Sequence, residues 1–320
     1  MAWAAIFPGQ GSQQPGMGKF LYDEFAAAKR CFEEASDTLS LDFKKLCFEG
    51  SEADLALTEN TQPCLLLVST ATYRVLNEEL GFAPKAAAGH SIGEYAAAVA
   101  GGALPFSQGM KAVRTRGQAM QAAVPVGMGG MTAVLGLEPA QISRLCKWAE
   151  SESSDGPVQA ANLNAPGQIV ISGKKSVLSW IAANFKAEMF PGARVKFIPL
   201  NVSAPFHCSM MKPAEDKMRE VLAAMEFKNS AFPIVQNVSA EPVSEGLALR
   251  ENLVRQVSAS VRWIECTEQL LKMGLERAAE VGCGRVLSGL AKKIDGGRMR
   301  TFNVNSLEDL KALEAALKGT

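Results

Sequence analysis

The stretch Gly89-His90-Ser91-Ile92-Gly93 places a serine between two glycines, after the apolar run Ala86–Gly89 and before a segment with helical spacing. This is the sequence pattern of a nucleophile elbow, a sharp turn from a strand into a helix. The turn forces its serine into sparsely populated backbone angles, and side chains at the flanking glycine positions would collide. Ser91 is therefore a candidate nucleophile at a helix N-terminus, where unpaired backbone N–H groups favour negative charge.

Apolar patterning predicts alternating strands and helices on both sides of this turn. Strands that alternate with helices are typical of a parallel, doubly wound α/β sheet, here with a hydrolase-like core. The predicted strands cover residues 3–7, 86–89, 234–237 and 278–281. The predicted helices cover residues 20–36, 63–80, 104–123 and 210–225, more than one helix lies across residues 251–273, and two more helices close the chain.

The segment between the two halves of this pattern has a different order. It predicts strand, helix, strand, strand, helix and strand over residues 131–135, 139–151, 158–163, 168–172, 175–185 and 194–198. This βαββαβ order is the ferredoxin-like plan, which is complete as a small unit. We therefore predict a large α/β domain of residues 1–126 and 200–320, and an inserted ferredoxin-like small domain of residues 127–199.

Charge is balanced along the chain of 320 residues, with Lys+Arg and Asp+Glu at 33 each. The absence of a long run of either sign argues against nucleic acid or a membrane surface as the main partner. One basic cluster near the C-terminus is a candidate docking site, although an ordinary solvated face explains it somewhat better. Its members are Arg285, Lys292, Lys293, Arg298 and Arg300.

The cysteines and the N-terminus indicate a compartment. The seven cysteines include no C-x-x-C pair, so the sequence encodes neither a disulfide framework nor a zinc site. The apolar start of the chain stops at Pro8 without a basic leader, unlike a signal peptide. We expect a cytoplasmic protein without a metal.

A glycine-rich loop follows the first predicted strand at residues 8–16. The dinucleotide-binding pattern fails because Gln14 stands where its third glycine is needed, and the phosphate-loop pattern fails because Met17 follows Gly16 in place of lysine. The sequence therefore does not predict phosphate binding by this loop.

A serine nucleophile needs a base, and the chain has only two histidines, His90 and His207. His90 is adjacent to Ser91 on a tight turn, so it is poorly placed to accept the serine proton, although it is able to line the pocket. His207 lies in residues 201–208, where the small domain returns to the large one and a cleft is expected. We interpret His207 as the candidate base, against the alternative of a structural histidine at a domain joint.

Several spaced motifs in order resemble the malonyl-CoA:acyl carrier protein transacylases, the acyltransferases of type II fatty acid synthesis. One departure is Cys283, where many relatives have proline, and it lies outside the chemistry. The matching motifs are Phe7-Pro8-Gly9-Gln10-Gly11-Ser12-Gln13, Thr61-Gln62-Pro63, Gly89-His90-Ser91-Ile92-Gly93-Glu94-Tyr95, Arg116-Gly117, Ala161-Asn162-Leu163-Asn164-Ala165-Pro166-Gly167-Gln168, Pro205-Phe206-His207, Val261-Arg262-Trp263 and Glu280-Val281-Gly282-Cys283-Gly284.

The resemblance implies a catalytic role for six residues. Arg116 would hold the free carboxylate of a malonyl group, because a guanidinium pairs with two oxygens at once. Without the resemblance, Arg116 and its neighbour Arg114 are predicted to be surface helix residues. The other implied roles are Ser91 as nucleophile, His207 as base, a carbonyl of Gln256 as the group that orients His207, and the backbone amides of Gln10 and Ile92 as the oxyanion hole.

The resemblance also implies which residues form the substrate pocket. Bulk at Phe206 and Ile92 is expected to exclude a branched methylmalonyl group, a discrimination worth only about 1 to 3 kcal/mol. His90, Gln62 and Asn162 are expected to bind substrate, with Asn164 nearby, although a structural role for the three amide residues is equally compatible with the sequence.

The implied activity is transfer of malonyl from malonyl-CoA to the phosphopantetheine thiol of acyl carrier protein, through a seryl ester and without a cofactor. Nothing in the sequence pattern requires more than a monomer. Three alternatives remain open: a transferase of a polyketide pathway, a serine thioesterase or hydrolase, and a non-catalytic carrier-binding protein. The α/β-hydrolase alternative requires an acid between the serine and a histidine near the C-terminus, whereas over a hundred residues follow His207.

Overall fold

The computed structural model describes residues 2–202 and 204–319, so that Met1, Ser203 and Thr320, all three within the predicted large domain, lie outside the described residues. The strands of the described part are β1 (Ala4–Phe7), β2 (Ala86–Gly89), β3 (Gly129–Leu135), β4 (Val158–Ala165), β5 (Gln168–Lys174), β6 (Lys196–Pro199), β7 (Ile234–Val235), β8 (Pro242–Val243), β9 (Arg277–Glu280) and β10 (Arg300–Asn303). The α-helices are α1 (Lys19–Glu24), α2 (Ala26–Leu39), α3 (Phe43–Glu49), α4 (Glu52–Ala56), α5 (Thr58–Leu80), α6 (Gly93–Ala100), α7 (Phe106–Ala122), α8 (Pro139–Ser153), α9 (Lys175–Asn184), α10 (Lys212–Ala223), α11 (Gly246–Arg255), α12 (Trp263–Lys272), α13 (Val286–Asp295) and α14 (Leu307–Lys318), with 3-10 turns at Ala187–Met189 and Ser209–Met211.

The larger sheet has six strands in the order β10-β9-β1-β2-β7-β8. The five strands from β10 to β7 run parallel, and β8 pairs antiparallel with β7 at one edge. The central strands β1 and β2 are buried along their whole length, as expected for a parallel sheet whose two faces are covered by helices. The predicted parallel α/β class is confirmed.

The second sheet is antiparallel, with four strands in the order β4-β5-β3-β6. Helix α8 follows β3 and helix α9 follows β5, which gives the predicted βαββαβ order. The sheet and its two helices share an apolar core that includes Val134, Ile142, Ile171 and Ile181. The ferredoxin-like unit is confirmed, while its exact boundaries at residues 127 and 199 stay a prediction.

Strand β4 joins the second sheet to the rest of the molecule. The Leu163 N–H donates to the Val261 carbonyl at 2.9 Å, and the Val261 N–H donates to the Ala161 carbonyl at 2.8 Å. The Ser260 hydroxyl donates to the Ala160 carbonyl at 2.5 Å. These bonds hold β4 beside the segment that precedes α12, so the second sheet forms one wall of a cleft next to the end of β2.

Two predicted elements differ in the structure. The helix predicted over residues 20–36 is split into α1 and α2, because Phe25 takes extended angles and packs its ring against the core. The strand predicted over residues 234–237 stops at Val235, because the Asn237 N–H donates to a buried carboxylate instead of to a neighbouring strand.

Four short elements have no counterpart in the prediction. Helices α3 and α4 are seven and five residues long, too short for a clear apolar period. Strands β8 and β10 lie at the two edges of the larger sheet. The β10 sequence Arg-Thr-Phe-Asn has only one apolar residue, so its pattern does not indicate a strand.

Two features of the described residues concern disulfide bonds and membrane-spanning helices. All seven cysteines are free and buried. Among the described residues, no helix combines the length and the apolar character that crossing a bilayer requires.

Candidate active site

The turn at the end of β2 has the predicted elbow geometry. Ser91 has φ of 52°, in the left-handed region that non-glycine residues rarely adopt. A Cβ at Gly89 would lie 2.0 Å from the Gly93 carbonyl carbon, and a Cβ at Gly93 would lie 2.1 Å from the Phe7 carbonyl oxygen. Both glycines are therefore required by close backbone approach, which brings β1, β2 and the start of α6 together.

The Asn237 side chain holds the elbow in place through two hydrogen bonds. Its Oδ1 accepts the Ser91 N–H at 2.8 Å, and its Nδ2 donates to the Gly89 carbonyl at 2.7 Å. Asn237 is fully buried, where unpaired amides are costly, so both bonds stabilise the strained turn. Sequence reasoning missed this residue because nothing in the local sequence indicates a contact with Ser91.

Ser91 and His207, the predicted nucleophile and base, lie within hydrogen-bond distance of each other. The Ser91 Oγ lies 2.7 Å from His207 Nε2. On the other side of the ring, Nδ1 lies 2.9 Å from the Gln256 main-chain carbonyl and 3.1 Å from that of Ala259. Two carbonyl acceptors require the proton on Nδ1, which leaves the Nε2 lone pair free to accept the serine proton.

The environment of His207 opposes its protonation. Burial, and next the positive charge of Arg116, lower the pKa of His207 to about 3, although the carbonyls of Gln256 and Ala259 act in the opposite direction. The imidazole is therefore neutral across the physiological pH range, as a general base must be.

Arg116 lies directly beside the nucleophile. It projects from α7, is fully buried, and donates from Nη2 to the Ser91 Oγ at 3.1 Å and to the Gln256 Oε1 at 2.8 Å. Its Nε is buried without a hydrogen-bond partner among the described residues. The expectation of a surface residue is wrong for Arg116, because its face of α7 is turned to the core. Arg114 is half-buried and pairs with Glu59.

A cavity of about 100 Å³ lies in front of Ser91. Nearly all of the predicted site residues line this cavity, together with four apolar side chains. Gln256 lies behind it, and the Asn164 Oδ1 accepts a hydrogen bond at 2.8 Å from His90 Nε2. The residues that line the cavity are Gln10, Gln62, His90, Ser91, Ile92, Arg116, Met120, Met131, Asn162, Leu200, Val202, Phe206 and His207.

The backbone at Gln10 and Ile92 borders this cavity on the side of the elbow. A Cβ at Gly9 would lie 2.6 Å from the His90 carbonyl oxygen, so only glycine lets the loop before Gln10 approach the elbow this closely. Neither the Gln10 N–H nor the Ile92 N–H has an acceptor within residues 2–202 and 204–319. Two backbone donors without an acceptor at the cavity wall fit the predicted oxyanion hole, which stays a prediction.

Comparison with known proteins identifies the family. The family model described as an acyl transferase domain matches residues 5–285. The malonyl CoA-acyl carrier protein transacylase of Bacillus subtilis strain 168 is 43% identical over 315 residues, which cover 98% of this chain and 97% of that protein. The chain belongs to the malonyl CoA-acyl carrier protein transacylase family of acyltransferases.

Solved structures agree with this assignment. The acyl-carrier-protein S-malonyltransferase of Burkholderia pseudomallei 1710b is 42% identical, with a TM-score of 0.92 and coverage of 99% of this chain and 100% of that one. A malonyl-transacylase solved in complex with its type II PKS acyl carrier protein is 40% identical, with a TM-score of 0.92 and full coverage of both chains. The resemblance drawn from the sequence motifs is confirmed.

The sequence also gave no indication of the role of a second buried residue in this acyltransferase. Glu94, in the first turn of α6, is 1% exposed, and it accepts the Asn237 N–H at 2.9 Å and a hydrogen bond from the Gln256 side-chain amide. The Gln256 amide also donates to the Ser91 carbonyl at 2.9 Å. The Gln256 side chain therefore contacts Arg116, Ser91 and Glu94, and only its main-chain carbonyl contacts His207.

The elbow glycines generate a first prediction. Gly93→Ala should abolish acylation of Ser91 and lower stability by more than about 1 kcal/mol, because the new Cβ meets the Phe7 backbone, which has little room to move. Gly289→Ala is the matched control: it lies in α13 with open space around it, and should raise stability by about 0.5 to 1 kcal/mol. Thermal melts and acyl-enzyme mass spectrometry measure both effects. Normal acylation in Gly93→Ala would contradict this view of the elbow.

His207 generates a second prediction. Because its native pKa of about 3 lies below the ordinary value of 6.5, the rate of acyl-enzyme formation should show no inflection near pH 6.5 and should stay level well below it. Unfolding takes up a proton between these two values, so His207 makes the fold less stable as pH falls from 6.5 towards 3. Rates of acylation are measured beside circular dichroism in the same buffers. A rate limb at pH 6.5 in folded enzyme would refute the prediction.

Proposed function

We propose that the protein transfers the malonyl group of malonyl-CoA to the phosphopantetheine thiol of acyl carrier protein through an ester on Ser91, and so supplies extender units for fatty acid synthesis. The names of its relatives support this substrate pair. The main support for the proposal is the environment of Arg116. Its buried positive charge lies beside Ser91 and has no carboxylate partner among the described residues.

Arg116 fits an acyl group that ends in a carboxylate. Its guanidinium contacts Glu94 only through Gln256, so its charge has no direct counter-ion among the described residues. The buried Nε lacks an acceptor, and buried donors of this kind are rarely left unpaired in the working state of a protein. Because Nη2 is 3.1 Å from the Ser91 Oγ, a malonyl group on that oxygen places its free carboxylate within reach of the guanidinium.

The first half-reaction forms the seryl ester. Ser91 Oγ attacks the thioester carbonyl of malonyl-CoA while its proton moves to His207 Nε2. The N–H groups of Gln10 and Ile92 donate to the developing oxyanion, an interaction worth about 2.7 to 4 kcal/mol for each donor. The tetrahedral intermediate collapses, the carbon–sulfur bond breaks, and the leaving coenzyme A thiolate takes the proton from His207.

The second half-reaction reverses these steps with a different thiol. The carrier's phosphopantetheine thiol gives its proton to His207 and attacks the ester carbonyl, and Ser91 leaves with that proton. A thiol is more acidic and more nucleophilic than water, so a base oriented by main-chain carbonyls suffices. The same weak activation limits attack by water, which favours transfer over hydrolysis. The two half-reactions predict ping-pong kinetics.

The other cavity residues determine which acyl group fits. Phe206 and Ile92 are almost fully buried and leave little room for a methyl branch at the α-carbon. Gln62 has a buried Oε1 without a partner among the described residues, and Asn162 lies on the opposite wall on β4. His90 lines the cavity while its ring packs on Trp263 at 5.6 Å, which fixes its position.

This function requires no cofactor and no metal, since the coenzyme A thioester is itself the substrate. We place the protein in the cytoplasm, where both substrates are made, and describe it as a monomer because Ser91, His207 and Arg116 all come from one chain. A type II PKS carrier is the alternative acceptor, favoured by the similar malonyl-transacylase solved with such a carrier. Parallel transfer assays with both carrier types separate the two.

The nucleophile assignment gives a third prediction. Malonyl-CoA without an acceptor should add one malonyl group to Ser91, because the ester has no thiol to which it can pass. Intact mass and peptide mapping locate the label, and Ser91→Ala should show none. Release of free malonate at the rate of carrier loading would instead support the thioesterase, and absence of any acyl-enzyme would support a non-catalytic carrier-binding protein.

The carboxylate site gives a fourth prediction. Arg116→Ala should lower kcat/KM for malonyl-CoA by about 100-fold, since charged hydrogen bonds contribute about 1.5 to 3 kcal/mol. Acetyl-CoA should be affected far less because it has no free carboxylate. Arg114→Ala, on the same helix but paired with Glu59, is the matched control and should keep the preference for malonyl. An equal loss for both acyl groups in Arg116→Ala would refute the assigned role.

A further inference from the structure

We propose that Glu94 is a positioning residue for malonyl selection, whose carboxylate holds the Gln256 amide in the one orientation that presents an acceptor to Arg116. The inference rests on the proposed function, because it takes Arg116 as the group that binds the malonyl carboxylate. Glu94 itself does not line the cavity and touches no reacting atom.

The Gln256 amide has two chemically different ends, and its neighbours require one orientation. Oε1 accepts from Arg116 Nη2 at 2.8 Å. Nε2 donates to the Ser91 carbonyl at 2.9 Å and to the Glu94 carboxylate. A flipped amide would turn its NH₂ towards the guanidinium and its oxygen towards the acceptor oxygens of Ser91, Glu94 and Asn237, so every contact would become repulsive.

Glu94 strengthens this preference because an ionised carboxylate only accepts hydrogen bonds. One oxygen accepts the Asn237 N–H at 2.9 Å, and the other accepts from Gln256. A glutamine at position 94 would keep the first bond through its own oxygen. Its NH₂ group, however, would face Gln256 as a donor and would favour the flipped amide.

Only the ionised form of Glu94 is acceptor-only, and burial opposes that form. Burial raises the pKa of Glu94 to about 8, even though the Asn237 and Gln256 hydrogen bonds and the charge of Arg116 oppose the shift. A neutral amide would satisfy the Asn237 N–H without that cost. The feature that a neutral amide does not supply is an acceptor-only partner for Gln256.

The effect on substrate follows from the geometry of a bidentate pair. A guanidinium that loses its Gln256 acceptor is free to turn, and both of its bonds to a carboxylate depend on its plane and direction. An acetyl group makes no such bonds. Glu94 therefore affects malonyl transfer through Arg116, while the elbow, held by Asn237, keeps its geometry for either acyl group.

The test compares E94Q with E280Q. Glu280 is the matched control because it is also a fully buried glutamate with a raised pKa due to burial, yet it accepts from Leu287 and Ser288 at the start of α13, outside the active site. Acyl-enzyme formation is measured with malonyl-CoA and acetyl-CoA, at a pH where Glu94 is ionised, with melting temperatures for every variant.

We expect E94Q to lower the malonyl rate about tenfold more than the acetyl rate, as for loss of one charged hydrogen bond. E280Q should leave the ratio of the two rates as in the wild type, whatever its effect on melting. An equal loss of both rates in E94Q, or an unchanged ratio, overturns the role of Glu94 alone. Wild-type enzyme that forms no malonyl ester, or Arg116→Ala that keeps its malonyl preference, overturns the proposed function as well.

A second variant covers the case in which E94Q does not fold. Gln256→Met removes the side-chain amide through which Glu94 acts, but retains the main-chain carbonyl that orients His207. It should show the same selective loss of malonyl loading. A retained malonyl preference in Gln256→Met would overturn the proposal.

Discussion

The contact between the Gly93 Cα and the Phe7 carbonyl is the constraint on which the active site depends. A Cβ at Gly93 would lie 2.1 Å from that oxygen, so β1, β2 and α6 meet at a point that has no room for a side chain. The chain reverses there within a few residues, and Ser91 is left at φ of 52°. This strain of about 1 to 3 kcal/mol persists only because the surrounding structure holds the turn.

The surrounding structure that holds the turn is a set of buried polar side chains. Asn237 bonds to both ends of the elbow, Glu94 bonds to Asn237, and Gln256 connects Glu94 to Arg116 and to the Ser91 carbonyl. Asn237, Glu94 and the Gln256 side chain each have hydrogen-bond partners in this set or in the elbow backbone, whereas the Arg116 Nε has none among the described residues. Ser91, His207 and Arg116 therefore share one support, since the Gln256 main-chain carbonyl also bonds to His207.

The sequence predicted the parts of this site that have a local signal. Two glycines around a serine identify Ser91, and a chain with two histidines leaves His207 as its base. Arg116 has no local signal on α7 and was found through the family resemblance only. Asn237 and Glu94 were missed because their partners are 146 and 143 residues away in the chain, and only the folded sheet brings them together. The short edge strands were missed for a related reason, since β10 is defined by its pairing with β9 and has no apolar pattern of its own.

In the proposed function, Arg116 acts on His207 as well as on the substrate. After burial, its positive charge is the next cause that lowers the pKa of His207, and His207 must become a cation while the Ser91 ester forms. A malonyl carboxylate bound to Arg116 cancels much of that charge, which raises the pKa of His207 when the correct substrate is present. An acetyl group brings no charge and leaves the base opposed by a bare cation. Under the proposed function, selection for malonyl therefore operates in the transition state as well as in binding, and contacts made in the transition state are those from which an enzyme gains rate.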